Sequence, residues 1–288
     1  MSLDPAQFHR DALAATIRTH LVSDAAPVSK LGFFCAPFRA GPGPFEGRIV
    51  KVYQGLRDPD EIARLLRAHD DYVGVLTGNG VPMPETAITT VDMGGPAAVP
   101  VVVQEALPDD AMMRPQMIAA DRDGALRLMQ AAGQVIATFW TRVRSDPRRI
   151  GFHPSIRNFA NVDGQAIFFD TFPPLIGYSR AEMGVMLHRF SDKRLIRLIG
   201  PLMRERIASI QDEWYDPAET LVGLVGSACR LRPEDAEAFL DWGRAFARAE
   251  MAPWAEAAVR GMQAPPQLPG YWTTFRRILG LQGEPNLR

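Results

Sequence analysis

Hydrophobic and polar positions divide the chain into two stretches of different texture. Phe8, Leu13, Ile17 and Leu21 recur at helical spacing, which predicts an amphipathic helix over 5–21. The pattern then shortens. LGFFCAPF (31–38) and RIVKVYQG (48–55) read as strands. The Gly- and Pro-rich RAGPGPFEG between them predicts a hairpin with a long loop. From Asp58 the period lengthens again, and Ile62, Leu65, Leu66 and His69 share one helix face. Asp58 is placed as N-cap and Pro59 as the first helical residue, with Glu61 completing a capping-box pattern. Gly78-Asn79-Gly80 ends that helix. VPMPETAITTVD (81–92) is extended, and the β-branched VPVVVQEAL (99–107) reads as a buried strand.

After Leu107 the texture is helical. Residues 121–146 hold a long amphipathic pattern, opened by an acidic turn at Asp121 and Asp123 that suits a helix N-terminus. A loop, PRRIGFHPSIRNF (147–159), leads to a short hairpin that turns at Asp163-Gly164. From Arg180 onward the pattern is nearly all helical, broken at Pro201, Pro217, Pro233, Pro253 and 265–270. The fold class expected is therefore α+β: a small antiparallel-sheet lobe over residues 1–105, then a larger, mainly helical lobe over 106–288. The single connection around 104–110 leaves a cleft between them as the natural ligand site.

Composition changes this picture little. The 288 residues are 47% hydrophobic and 23% charged, with a net charge of -1, which argues against a general electrostatic grip on nucleic acid. No apolar run is long enough to cross a membrane, and the N-terminus lacks the pattern of a signal peptide. Cys35 and Cys229 are too few for a disulfide framework or a cysteine metal site. A cytoplasmic protein with no membrane or nucleic-acid partner is expected. Oligomeric state is not legible. Lysine is scarce: Lys30, Lys51 and Lys193 are the only ones, and Lys51 lies inside an apolar strand.

Lys51, Asn158 and Asp170 stand out together. Lys51 is on the strand after the Gly/Pro-rich turn. Asn158 lies in the loop after the long helix, and Asp170 ends the apolar strand AIFFD. This order resembles the protein-kinase-like fold over residues 30–175. It is most similar to the small-molecule branch, the aminoglycoside-phosphotransferase and choline-kinase-like enzymes. The resemblance implies a two-lobed fold and a nucleotide, ATP, whose phosphates meet Lys51. It implies Mg²⁺ held by Asn158 and Asp170. A helix carboxylate is expected to pair with Lys51, for which Asp70 or Asp71 is the choice. Gln104 and Glu105 fall in the interlobe connection, where backbone groups would bind adenine. The turn over Arg39–Gly47 sits where a phosphate-covering loop would, without the usual glycine spacing.

The sequence also departs from the family. Five residues before Asn158, where a catalytic aspartate belongs, stands His153. A neutral imidazole there would orient or deprotonate the acceptor hydroxyl. Ser155 would bind phosphate or substrate, and Arg157 would neutralise phosphate charge. Asp170-Thr171-Phe172 replaces Asp-Phe-Gly, and Pro173-Pro174 stiffens the next stretch of chain. The function implied is an ATP- and Mg²⁺-dependent phosphotransferase acting on a small-molecule hydroxyl. The alternatives are a catalytically impaired, kinase-like binding module and a nucleotide-using transferase of another type. His9, His20, His69 and His188 have no metal-ligand spacing and are expected to be structural. Among Trp214, Trp242, Trp254 and Trp272, one or two are candidates for an acceptor pocket.

Overall fold

A computed structural model describes residues 9–22, 35, 37–189 and 211–266, without the side chains of 187–189. The expected strand over 31–38 lies mostly outside the described residues, as do residues 1–8, Pro201, Trp272 and the side chain of His188.

The first helix, α1 (Arg10–Leu21), buries Leu13, Ala14 and Ile17. Four strands follow: β1 (Phe38–Arg39), β2 (Ile49–Val52), β3 (Thr86–Val91) and β4 (Val99–Gln104). They form one antiparallel sheet in the order β1-β2-β4-β3. The register sorts the side chains by face. Val50, Val101 and Val103 pack under α1 with Phe38 and Phe45. On the other face Lys51 lies opposite Val102, which lies opposite Ile88. Both faces are covered, so β4 is buried at nearly every position rather than at alternate ones.

Helix α2 (Pro59–Gly78) connects β2 to β3. Asp58 caps it, accepting a hydrogen bond from the Asp60 N–H at 2.9 Å, and Pro59 opens it as expected. Its buried stripe of Ile62, Leu65, His69, Tyr72 and Leu76 faces the core.

The remainder is mainly helical: α3 (Met113–Ala119), α4 (Arg122–Val143), α5 (Arg180–Arg189), α6 (Pro217–Leu231), α7 (Ala236–Glu250) and α8 (Ala255–Gly261). The Asp121 side chain caps α4. That helix is the axis of the lobe, with α6 and α7 packed against it. Trp140 on α4 donates its indole N–H to Thr220 Oγ1 on α6 at 2.8 Å, which satisfies two buried polar groups at once. A hairpin, β5 (Phe159–Val162) and β6 (Gln165–Phe168), turns at Asp163 and Gly164, both at positive φ (51° and 84°). Phe139, Phe152, Phe159 and Phe168 are fully buried beneath it, and their rings form a chain with centroids 4.8–5.5 Å apart. The architecture is therefore the α+β arrangement of a small antiparallel-sheet lobe followed by a mainly helical part. No helix among the described residues is long and apolar enough to cross a membrane.

Candidate functional site

The site is built on the segment that joins α4 to the hairpin. Asn158 shapes it. Its side-chain N–H donates to the His153 carbonyl at 2.9 Å, and its backbone N–H donates to the Ser155 carbonyl at 2.8 Å. Those two bonds curl residues 153–158 into a compact loop with Asn158 at its buried end. The hairpin then returns the chain, and the Phe169 N–H donates to the Asn158 carbonyl at 3.1 Å. Asp170 is the next residue, one position beyond that backbone bond to Asn158, although twelve positions separate the two along the chain.

Two side chains from the sheet reach the same strip. Lys51 is only 7% exposed, and its ammonium donates to the Phe169 carbonyl at 3.0 Å. Gln104, 2% exposed, donates its amide N–H to the same carbonyl at 3.1 Å and to Thr86 Oγ1 at 2.8 Å. Gln104 thus contributes its side chain, not only the backbone expected of a connecting residue. Glu105 is exposed, and its backbone N–H is bonded to the Glu85 carbonyl at 2.8 Å.

Charge around the strip is balanced by burial. Removal from water lowers the affinity of Lys51 for its proton, and the nearby Asp170 carboxylate partly restores it. Burial raises Asp170, while Lys51, the Phe172 N–H and Arg157 pull it back down. Lys51 and Asp170 therefore feel one another's charge, the lysine buried and the aspartate partly buried.

The helix carboxylate expected beside Lys51 is not there. Asp70 and Asp71 are both exposed on the outer side of α2. A helix turns about 100° per residue, so they point away from the stripe that holds His69. His69 is the α2 side chain turned inward. It is fully buried, its Nε2 lies 2.9 Å from Thr171 Oγ1, and it feels the charge of Lys51. Burial, then Lys51, push its pKa down to about 3.

His153 is partly buried, its ring tilted against Trp214 with centroids 4.6 Å apart. Burial, then Arg157, lower its pKa to about 4, so it is neutral at physiological pH and a weak base. Arg157 is exposed and acts electrostatically on both His153 and Asp170. Ser155 is partly buried, and its carbonyl closes the Asn158 turn.

Several neighbours have no motif to announce them. Tyr53, two residues beyond Lys51 on the same face, stacks on Phe172 at 3.6 Å between centroids. Its hydroxyl hydrogen-bonds Cys35. Thr171 and Trp214 complete the set. Strand alternation from Lys51 is enough to find Tyr53, and the α2 stripe is enough to find His69. The Arg39–Gly47 turn is anchored outward, since Phe45 is buried on the α1 side of the sheet and Arg39 pairs with Asp109 at 2.7 Å.

His69 makes acid stability a test of this geometry. The folded protein keeps the ring neutral down to about pH 3, whereas the unfolded chain takes up a proton below the ordinary histidine value of 6.5. The unfolded state therefore binds more protons between those values. Stability contributed by the neutral ring is complete above the upper value and falls as pH drops toward the lower, by about 1.4 kcal/mol per pH unit. Urea midpoints should decline through this window in the wild type, and less steeply in His69→Gln. Equal slopes would place the titration elsewhere.

A model of a family of unknown function, DUF6206, matches residues 12–283, so the chain belongs to that family. Comparison with curated proteins finds no match. Among solved structures, the chain is similar to a candidate aminoglycoside phosphotransferase from Ralstonia eutropha JMP134. The two are 13% identical, and the match covers 91% of this chain and 100% of the other with a TM-score of 0.36. A likeness that low carries no argument about activity, so the functional reading rests on the site itself.

Proposed function

We propose that the protein is an ATP- and Mg²⁺-dependent phosphotransferase acting on the hydroxyl of a small molecule. The observation that carries this reading is the convergence of Lys51, Asn158 and Asp170 on one buried strip, through the Phe169 backbone. A buried ammonium with two further donors to offer suits nucleotide phosphates, and a cytoplasmic setting fits Cys35 and Cys229, which are not joined in a disulfide.

The donor set fits magnesium. The Asn158 amide is fixed by its N–H donation to His153, which leaves its oxygen as the end for a hard cation. The Asp170 carboxylate is the second oxygen donor, and a Mg²⁺ ion of this kind takes its other ligands from water and phosphates. When bound, it would neutralise phosphate charge and hold the transferring group.

The protein's own residues supply the rest. Lys51 binds phosphate oxygens, Arg157 adds positive charge at the mouth, and Ser155 offers a hydroxyl. His153 serves as a neutral acceptor that orients the substrate hydroxyl. With a pKa of about 4 it is a poor proton acceptor. Phosphoryl transfer tolerates that, because its transition state needs positioning and charge neutralisation more than early deprotonation.

The same low basicity favours a second reading, a binding module with impaired catalysis. Both readings meet one experiment. Mg²⁺–ATP binding is measured by calorimetry, and products are identified by mass spectrometry in the presence of an acceptor library. Lys51→Arg should weaken nucleotide binding about tenfold or more, because the bulkier planar head does not fit a cleft built around an ammonium. Turnover in the wild type that is lost in His153→Ala supports the transferase. Binding without turnover, with activity appearing in His153→Asp, supports the impaired module. Nucleotide rather than phosphate on the product would mark a nucleotidyl transferase. A folded wild type that binds no ATP overturns every one of these readings.

A further inference from the structure

His69 carries a buried ring nitrogen, Nδ1, with no hydrogen-bond partner. An orphaned buried polar atom is costly, so its retention calls for an explanation. The ring's other nitrogen is committed to Thr171 Oγ1 at 2.9 Å. Lys51 is committed to the Phe169 carbonyl at 3.0 Å. His69 and Lys51 therefore grip residues 169 and 171 of one strip, on either side of Asp170. Both heads are buried, and the groups they hold lie two residues apart on that strip; the ring also responds to the lysine's charge.

With Nε2–H donated to Thr171, the lone pair on Nδ1 is free to accept. Lys51 has three donors, one of them on Phe169. We propose that His69 is a positioning residue for the nucleotide site: its Nδ1 accepts a hydrogen bond from the Lys51 ammonium when that group turns toward nucleotide phosphates, while Nε2–H holds Thr171 and with it Asp170. This inference rests on the reading of Lys51 as a phosphate-binding lysine. A neutral acceptor here does what a carboxylate would do for aim, without adding a negative charge beside the phosphates. It would let α2 act on Lys51 although Asp70 and Asp71 face solvent.

The scarcity of lysine makes the test clean, since only three lysines and five histidines contribute signals. Wild-type protein labelled with ¹⁵N at lysine Nζ and in the histidine rings is titrated with Mg²⁺–ATP. The expected result is that the Lys51 Nζ and His69 Nδ1 resonances move together and the His69 ring stays in its neutral Nε2–H form. An unmoved Nδ1 while Lys51 shifts overturns the proposal, and so does an Nδ1–H tautomer. This arm needs no variant. In a second arm, His69→Leu should bind Mg²⁺–ATP at least tenfold more weakly than wild type, with His69→Gln restoring part of the loss. Wild-type affinity in a folded His69→Leu overturns the positioning role alone. No nucleotide binding by the wild type overturns the phosphotransferase reading and this inference together.

Discussion

Asp170→Asn should lower Mg²⁺-dependent phosphate transfer by about 10³-fold while leaving the fold intact. The amide keeps the size of the carboxylate and its place on the strip, and its oxygen can still accept from the Phe172 N–H. What it loses is charge, and that loss acts twice. On the proposed reading, a bound Mg²⁺ would lose its one anionic protein ligand among the residues that meet there. Lys51 loses the carboxylate that supports its protonated form against burial, so the ammonium is weakened in the same stroke. A neutral amine is a poor partner for phosphates. The measurement is turnover of ATP with an identified acceptor, with thermal unfolding as the control. Competitive amine labelling adds a direct readout, because Lys51 should become more reactive than in the wild type. Activity within tenfold of wild type would remove Asp170 from the site.

The second large effect concerns stability and does not depend on any activity. Phe152→Ala should destabilise the protein by about 3–5 kcal/mol. Phe152 is fully buried, with its ring 4.9 Å from Phe139 on α4 and 4.8 Å from Phe168 on β6. It is the middle link between the long helix and the hairpin, so its removal opens a cavity with aromatic walls and strands both neighbours. Its backbone is held as well: the Phe152 N–H donates to the Trp214 carbonyl at 2.6 Å, and the Gly151 carbonyl accepts from the Tyr72 hydroxyl at 3.1 Å. Those bonds keep the loop from collapsing into the void. The urea midpoint is the readout, and Phe152→Leu should recover more than half of the loss. A shift below about 1 kcal/mol would mean that the site relaxes to fill the space.

Much of the architecture is legible because local chemistry and periodicity agree. Asp58-Pro59, Asp121 and Asp163-Gly164 each mark a boundary by what a cap or tight turn requires, and each sits where it is read. The α+β order follows from the change of period near residue 107. His69 is the instructive case. The spacing of Ile62, Leu65 and His69 puts the imidazole on the buried stripe of α2 and turns Asp70 and Asp71 outward. An expectation of a carboxylate beside Lys51 pulls the choice one or two residues away from what the period dictates, and the packing follows the period. At the start of α2 the Asp58 oxygen accepts from the Asp60 N–H. Gln104 is different in kind. Which way its side chain points depends on the register of β4 against β2 and β3, and no local pattern encodes that pairing. The shared use of the Phe169 carbonyl is equally non-local, because it joins residues 51, 104 and 169.

The first helix bears on how the protein can be handled. Leu13, Ala14 and Ile17 lie over Val50, Val101, Val103, Phe38 and Phe45, on the side of the sheet turned away from the cleft. A shortened version that begins at the strands would keep every residue of the candidate site and yet bare a valine-rich sheet surface to water. Such a surface invites other chains to pair and stack. Screening for an acceptor with trimmed protein would then report on clumping rather than on chemistry, so α1 belongs in any version of the protein used for that purpose.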